Sequence, residues 1–186
     1  PQIDPIIVSL GPVALRWYGL MYLLGFAAGW WLGHKRAATQ HPPWSDNELS
    51  DLVFYGAVGA VLGGRIGYVL FYNVSALATD PLYLLRIWEG GMAFHGGLVG
   101  VIALTWIFAQ KHKVAPLALG DALAPLIPIG LGLGRLGNFI GGELWGRPTD
   151  LPWAMVFSKA DGLARHPSQL YQFALEGVLL LSLIHI

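Results

Sequence analysis

Arginines stand deep inside two long apolar runs, Arg65 within 52–72 and Arg135, together with Asp121, within 114–140. An arginine inside an apolar span costs about 2.5–3.5 kcal/mol on insertion scales, which makes each a candidate for function. Arg135 stands among Gly130, Gly132, Gly134 and Gly137, which strip side chains from around it and let a neighbouring helix or a headgroup approach. Asn138 follows three residues on and shares its helical face, and Glu143 and Trp145 come next, past the run. The bland alternative pairs Arg135 with a carboxylate as buried glue. Asp121 is excluded as that partner at roughly 21 Å along a straight helix, which leaves Glu143.

His95 sits between glycine pairs in Gly90-Gly91-Met92-Ala93-Phe94-His95-Gly96-Gly97. Glycine on both sides speaks for close backbone approach or bending rather than plain helix packing. The imidazole there reads as a general base, a phosphate donor, or a histidine satisfied by an interfacial carbonyl. Arg165-His166-Pro167-Ser168 puts a cation and an imidazole at a helix start, with Pro167 fitting the first turn. Arg165 reads equally as an anchor to lipid phosphates and as part of a cleft, and Tyr18, on pattern alone, belongs to an aromatic belt. His95 and His166 lack a close carboxylate or a second histidine at helical spacing, so neither a metal site nor a cofactor is expected.

Guanidinium forks match phosphate oxygens bidentately, and no Asp-rich cluster is present to hold the Mg²⁺ of a lipid phosphotransferase. Arg65, Arg135, His95 and Asn138 therefore point to gripping a phospholipid headgroup without metal. The residues alone give a substrate class and no reaction.

Composition says where such residues must sit. The 186 residues are 55% hydrophobic and 12% charged, with mean hydropathy +0.56, against about 25% charged in a typical soluble domain. That excludes a soluble enzyme and a disordered chain. Eleven basic and eleven acidic side chains give zero formal net charge, so there is no electrostatic case for nucleic acid. With no cysteine there is no disulfide, thiolate metal site or cysteine nucleophile. The expected class is all-α: a polytopic transmembrane helical bundle forming a single membrane-embedded domain over 1–186.

Its predicted spans are about 14–33, 52–72, 92–109, 119–140 and 168–186, the first four each about long enough to cross ~30 Å of hydrocarbon. The connector 34–51 contains His41-Pro42-Pro43 and then Ser45-Asp46-Asn47-Glu48, a helix start with Ser45 as cap and Glu48 three residues on. Lys35, Arg36, Lys111 and Lys113 crowd the helix ends of 34–51 and 110–113, which places those loops inside and the N-terminus, 73–91 and 141–167 outside. Gly64-Arg65-Ile66-Gly67 and Gly134-Arg135-Leu136-Gly137 echo each other, so both arginines are expected at similar depth in glycine-lined settings. No basic n-region precedes the first apolar run, so no signal peptide is read. The chain stops within an apolar run, and Leu181–Ile186 matches one frame of a common library-adapter sequence, so a C-terminal truncation after about Leu180 is expected.

Five motifs carry a resemblance: Trp17-Tyr18-Gly19-Leu20-Met21-Tyr22, Gly63-Gly64-Arg65-Ile66-Gly67-Tyr68, Gly90–Gly97, Gly134-Arg135-Leu136-Gly137-Asn138-Phe139-Ile140 and Arg165-His166-Pro167-Ser168-Gln169-Leu170-Tyr171. In order and spacing the chain resembles the bacterial prolipoprotein diacylglyceryl transferases from Pro1 to about Leu180. The resemblance implies a seven-span inner-membrane enzyme, five spans of which are present, with its N-terminus outside. It implies transfer of the diacylglyceryl group from phosphatidylglycerol to the lipobox cysteine of a preprolipoprotein signal peptide, releasing glycerol phosphate. By motif, Tyr18, His95 and Arg135 match positions implied to be catalytic. Arg135, Asn138, Arg65, Glu143, His166 and Gly146 match positions implied to bind the headgroup.

Gly141 stands where the family usually has a second asparagine. The family's last two spans, with a further essential arginine, lie beyond Ile186, so the chain by itself is expected to be inactive. The competing class is a membrane transporter or flippase for an anionic lipid or solute, its glycine-rich spans moving and its arginines lining an anion path.

Overall fold

The computed structural model describes residues 3–10, 13–40 and 45–185. The expectations for Pro1, for His41-Pro42-Pro43 and for Ile186 fall outside them. The described chain is mostly helical, as its apolar runs require. Helices α1 (Trp17–Gln40), α2 (Asp46–Tyr72), α3 (Val74–Thr79), α4 (Phe94–Lys111), α5 (Pro116–Leu123), α6 (Ile127–Gly141), α7 (Ser168–Gln172) and α8 (Leu180–His185) follow in order. Among the described residues, two helical stretches are long and apolar enough to cross a membrane, Asn47–Tyr72 and Pro116–Gly141.

Two hairpins depart from the all-helical expectation. Strand β1 (Ile6–Leu10) pairs antiparallel with β2 (Val13–Arg16), with Val8 opposite Leu15. The β-branched Ile-Ile-Val run favours strand, so the first helix begins at Trp17 rather than at Ala14. A short pair of β3 (Met155–Val156) and β4 (Ala164–Arg165) folds back the segment after α6.

The chain forms two compact units, Pro1–Gly33 with Leu123–Ile186, and His34–Ala122. In the second unit Ser45 caps α2 as its sequence predicts: its Oγ accepts from the Glu48 N–H at 3.4 Å, and Glu48 Oε2 accepts from the Ser45 N–H at 2.7 Å. That unit is built on α2 packed along α4. Gly59 and Gly63 recur at four-residue spacing on α2, and Gly96 and Gly100 do so on α4. A Cβ at Gly63 would lie 2.3 Å from the carbonyl oxygen of Gly96, and one at Gly100 would lie 2.1 Å from that of Gly59. The two backbones touch directly, the small-residue crossing that close helix pairs require. The glycines that follow His95 thus serve close backbone approach, one of the two roles their sequence suggests, and the approach is made by helix packing. Those that precede it do bend the chain: Gly90 and Gly91 have φ of +84° and +81°.

The connector 73–91 is structured. It holds α3 and two tight 3-10 turns, Pro81–Leu85 and Ile87–Glu89, tied by Arg86 to Asp80 at 2.5 Å and to Glu89 at 3.5 Å.

In the first unit, α6 packs against α7 and against a π-helical stretch, Phe173–Leu179. Pro128 falls at the start of α6, where its missing N–H leaves no bond unmade. Gly142 caps the helix with φ +63°.

Candidate functional site

In the His34–Ala122 unit, Arg65 is 2% exposed, and its guanidinium faces the connector. Nε donates to the Leu84 carbonyl at 3.2 Å, Nη2 to Tyr83 at 2.6 Å, and Nη1 to Gly90 and, at 3.4 Å, to Gly91. The cation also lies 4.6 Å from the Tyr83 ring centroid, and Asn73 Nδ2 donates to the Tyr83 hydroxyl at 3.0 Å. All three guanidinium nitrogens are thereby engaged by protein carbonyls. The two arginines of the sequence echo occupy different settings: one is sealed in, the other is not.

His95 is in the first turn of α4 and exposed. Its ring contacts Phe94 edge-on at 5.6 Å, and among the described residues it makes no hydrogen bond. The Ala93 N–H just before it donates to the Gly64 carbonyl at 2.9 Å. A Cβ at Gly91 would strike the Tyr68 ring at 2.3 Å. Backbone contacts thus fix the entry to α4 and leave the imidazole unengaged, able to take a proton or give a hydrogen bond.

The other unit gathers six of the named residues around the end of α6. Arg135 Nε donates to Glu176 Oε2 at 3.2 Å, with the two side chains 28% and 36% exposed. Among the described residues its Nη1 and Nη2 have no partner. Sequence reasoning missed Glu176 as a site residue. Its one signal was that it is the lone acid, beside Gln172, in the apolar run 170–184.

The Tyr18 ring lies against Gly137, where a Cβ would meet Cδ2 at 3.0 Å, and its hydroxyl is 3.2 Å from that of Tyr22. Asn138 is 8% exposed, and among the described residues its amide has no hydrogen bond. Just beyond the α6 cap, Glu143 faces outward, 3.7 Å from Lys159 Nζ.

The backbone there is strained: Leu144 has φ +57°, a left-handed conformation that a branched aliphatic side chain rarely takes. Two bonds hold it. Gln169 Nε2 donates to the Glu143 carbonyl at 2.5 Å, and Ser168 Oγ donates to the Leu144 carbonyl at 2.7 Å. Gln169 is fully buried and was also missed, because its role is to a main-chain group far away in sequence.

Gly146 passes so close to the 165–168 segment that a Cβ would sit 2.8 Å from His166 Cβ and 3.0 Å from its carbonyl oxygen. His166 in turn is 3.1 Å from the Tyr171 hydroxyl through Nδ1, and Trp153 Nε1 donates to the same hydroxyl at 2.7 Å. Arg165 is bidentate on Asp161, at 3.1 and 2.7 Å, and donates to the Gly146 carbonyl at 3.0 Å. That guanidinium holds the Asp161 carboxyl below its ordinary range. The loop is thus a braced platform with Glu143 and Tyr171 exposed and His166 half-buried against Tyr171.

Chemically, this end of α6 offers a half-buried guanidinium with two nitrogens that have no partner among the described residues and, three residues on, the unengaged amide of Asn138. Both donate hydrogen bonds, and the pairing suits an oxyanion such as a phosphate.

The family model described as prolipoprotein diacylglyceryl transferase matches residues 5–186. The chain is 61% identical over 180 residues to the phosphatidylglycerol–prolipoprotein diacylglyceryl transferase of Pseudoalteromonas atlantica, covering 97% of this chain and 64% of that relative. It is 59% identical over 186 residues to the protein of the same name from Aeromonas salmonicida, covering 100% and 67%. For the one from Ectopseudomonas mendocina the values are 56% over 185 residues, covering 99% and 70%. The chain spans about two thirds of the length of the curated relatives it matches.

Proposed function

The chain belongs to the prolipoprotein diacylglyceryl transferase family, and on that premise we propose that its full-length form moves the diacylglyceryl group of phosphatidylglycerol onto the lipobox cysteine of a preprolipoprotein signal peptide. The thiol sulfur bonds to the glycerol carbon, and the bond from that carbon to the phosphate oxygen breaks. Its electron pair leaves with glycerol phosphate, and the thiol proton passes to a base. A thiol with pKa near 8.5 is only a few per cent ionised at neutral pH, so a base is useful, and the unengaged imidazole of His95 is proposed for it.

Arg135 is the observation that carries the reading: a half-buried guanidinium whose Nη1 and Nη2 are free among the described residues. That fork suits two oxygens of a phosphate and neutralises the charge that develops as it leaves. Asn138 orients the headgroup with its unengaged amide. Tyr18, against Gly137, walls that place with a hydroxyl available to it. Glu143 and His166 approach the glycerol from the braced loop that Gly146 lets close. Arg65, its guanidinium taken up by carbonyls, supports phosphatidylglycerol use through the fold of the 73–91 connector.

We place the protein in the bacterial inner membrane as one domain, with five of seven spans in these residues and the N-terminus outside. In that frame both substrates, a lipid and a signal peptide, reach the protein from the bilayer. The test is mass spectrometry of a lipobox peptide after incubation of the full-length protein with phosphatidylglycerol vesicles. A mass gain of one diacylglyceryl group on cysteine, absent from a Cys→Ser peptide, is expected. An unmodified peptide, together with movement of the lipid or an anion across the bilayer, identifies a transporter instead.

A further inference from the structure

Arg135 and Glu176 are separated by 41 residues and meet through one hydrogen bond, Nε to Oε2. A carboxylate facing a guanidinium usually takes two nitrogens at once. Here Nη1 and Nη2 are left without a partner among the described residues, and nothing stands within 4 Å of where a Cβ on neighbouring Gly134 would be. The geometry holds the arginine by its inner nitrogen and leaves its outer edge open.

The backbone is shaped to deliver that carboxylate. Gly132, one turn before Arg135, crosses Gly177, the neighbour of Glu176: a Cβ on either would come within 3.0 Å of the other's Cα. Glu176 lies in the π-helical stretch Phe173–Leu179, and such widened turns recur at functional sites because they re-aim one side chain out of helical register. The close crossing sets the distance between the helices, and the widened turn sets the direction of the acid.

We propose that Glu176 is a positioning residue for Arg135. It fixes the guanidinium so that Nη1 and Nη2 together face the substrate's phosphate, and it balances the cation while no substrate is bound. This rests on the reading of Arg135 as the phosphate-binding residue, and neither free nitrogen needs to leave Glu176 to act.

The experiment measures kcat and KM for phosphatidylglycerol in vesicles, with a lipobox peptide, for full-length E176Q, E176A and E176D, each alone and combined with R135K. Loss of alignment by an ångström costs on the order of 10- to 10²-fold in rate, so E176A should lose that much kcat while its melting temperature stays near that of the parent. E176Q keeps an oxygen that can accept from Nε and should recover most of the loss. On the R135K background, E176A should add little, because lysine has no Nε–H to hold. If E176A does not accumulate, E176D replaces it, since its shorter carboxylate cannot reach the same place.

A parental kcat in E176A or E176D overturns the proposal, as does E176Q failing as badly as E176A, or a full further loss on the R135K background. Full activity in R135K and in R135Q overturns the reading of Arg135 itself, a result separable from loss at Arg135 with none at Glu176.

Discussion

Gly63 on α2 faces Gly96 on α4 at such close range that a Cβ on Gly63 would lie 2.3 Å from the Gly96 carbonyl oxygen. The obstacle is backbone, which cannot rotate away. Gly63→Ala should therefore push the helices apart and cost about 1–3 kcal/mol, the range for overpacking a close-fitted contact. Gly56, on the same helix with nothing within 4 Å of its Cβ position, is the contrast: Gly56→Ala should be neutral or stabilise by up to about 1 kcal/mol through helix propensity. Thermal unfolding of both variants in detergent separates them. Equal melting temperatures would mean the two helices do not touch through these glycines.

Arg65 yields a different signature from Arg135. Removing its guanidinium leaves the carbonyls of Tyr83, Leu84, Gly90 and Gly91 without their donors. A single buried polar group left unpaired costs about 1–3 kcal/mol. Arg65→Ala should lower stability by at least that much, and Arg65→Lys should recover part of it. A folded, equally stable Arg65→Ala whose only defect is a raised KM for phosphatidylglycerol would mean that this arginine meets the lipid directly.

The difference between these two arginines marks how far the sequence could be read. Both sit in Gly-Arg-aliphatic-Gly, and local pattern treats them alike. What separates them is the partner, and the partners are 18 to 41 residues away, beyond any helical period. The cap at Ser45 and Glu48 was legible because both halves of it lie within one turn. The pairing of β1 with β2 was not, since the apolar stretch that holds β2 reads as helix from Ala14. The glycines around His95 look like one feature and have two causes, left-handed backbone before it and helix contact after it. Gln169 escaped notice because it serves a main-chain carbonyl, which no side-chain motif announces.

Two glycines near the end of α6 should respond in opposite ways. Gly146→Ala puts a methyl 2.8 Å from His166 Cβ and 3.0 Å from its carbonyl oxygen, so the braced loop must open, and stability and transferase activity should both fall. At Gly141 the nearest atoms to a Cβ belong to Glu143 at 3.7 to 3.9 Å, ordinary contact. Gly141→Asn should be tolerated within about 0.5 kcal/mol and bring an amide beside Glu143. Melting temperature and turnover of the two variants check both expectations. A stable, active Gly146→Ala would detach Gly146 from any steric role.

The Asp161–Arg165 pair gives the loop a pH dependence. The bond to Arg165 depresses the Asp161 carboxyl in the folded chain, so its contribution is in place above the ordinary aspartate range. It is lost as pH falls from about 3.9 through the lower folded value. Hydrogen exchange of residues 157–165 should stay slow at neutral pH and accelerate across that acidic window. Asp161→Asn should exchange fast at every pH. A wild-type loop whose exchange, corrected for intrinsic rate, is flat through the window would remove this pair from the loop's support.

The central claim is a thiol transfer in which His95 serves the proton and Arg135 the leaving phosphate. It is tested most directly by the pH–rate profile of thioether formation on a lipobox peptide at saturating phosphatidylglycerol, for full-length His95→Gln and Arg135→Lys. His95→Gln should lose about 10²–10⁴-fold at neutral pH and regain part of it as pH rises, because more thiol ionises unaided. Arg135→Lys should lose at least ~10²-fold with no recovery at high pH, since lysine keeps the charge and lacks the fork. A loss in His95→Gln that is the same at all pH values would contradict the base, and thioether formation undiminished in Arg135→Lys would contradict the phosphate site.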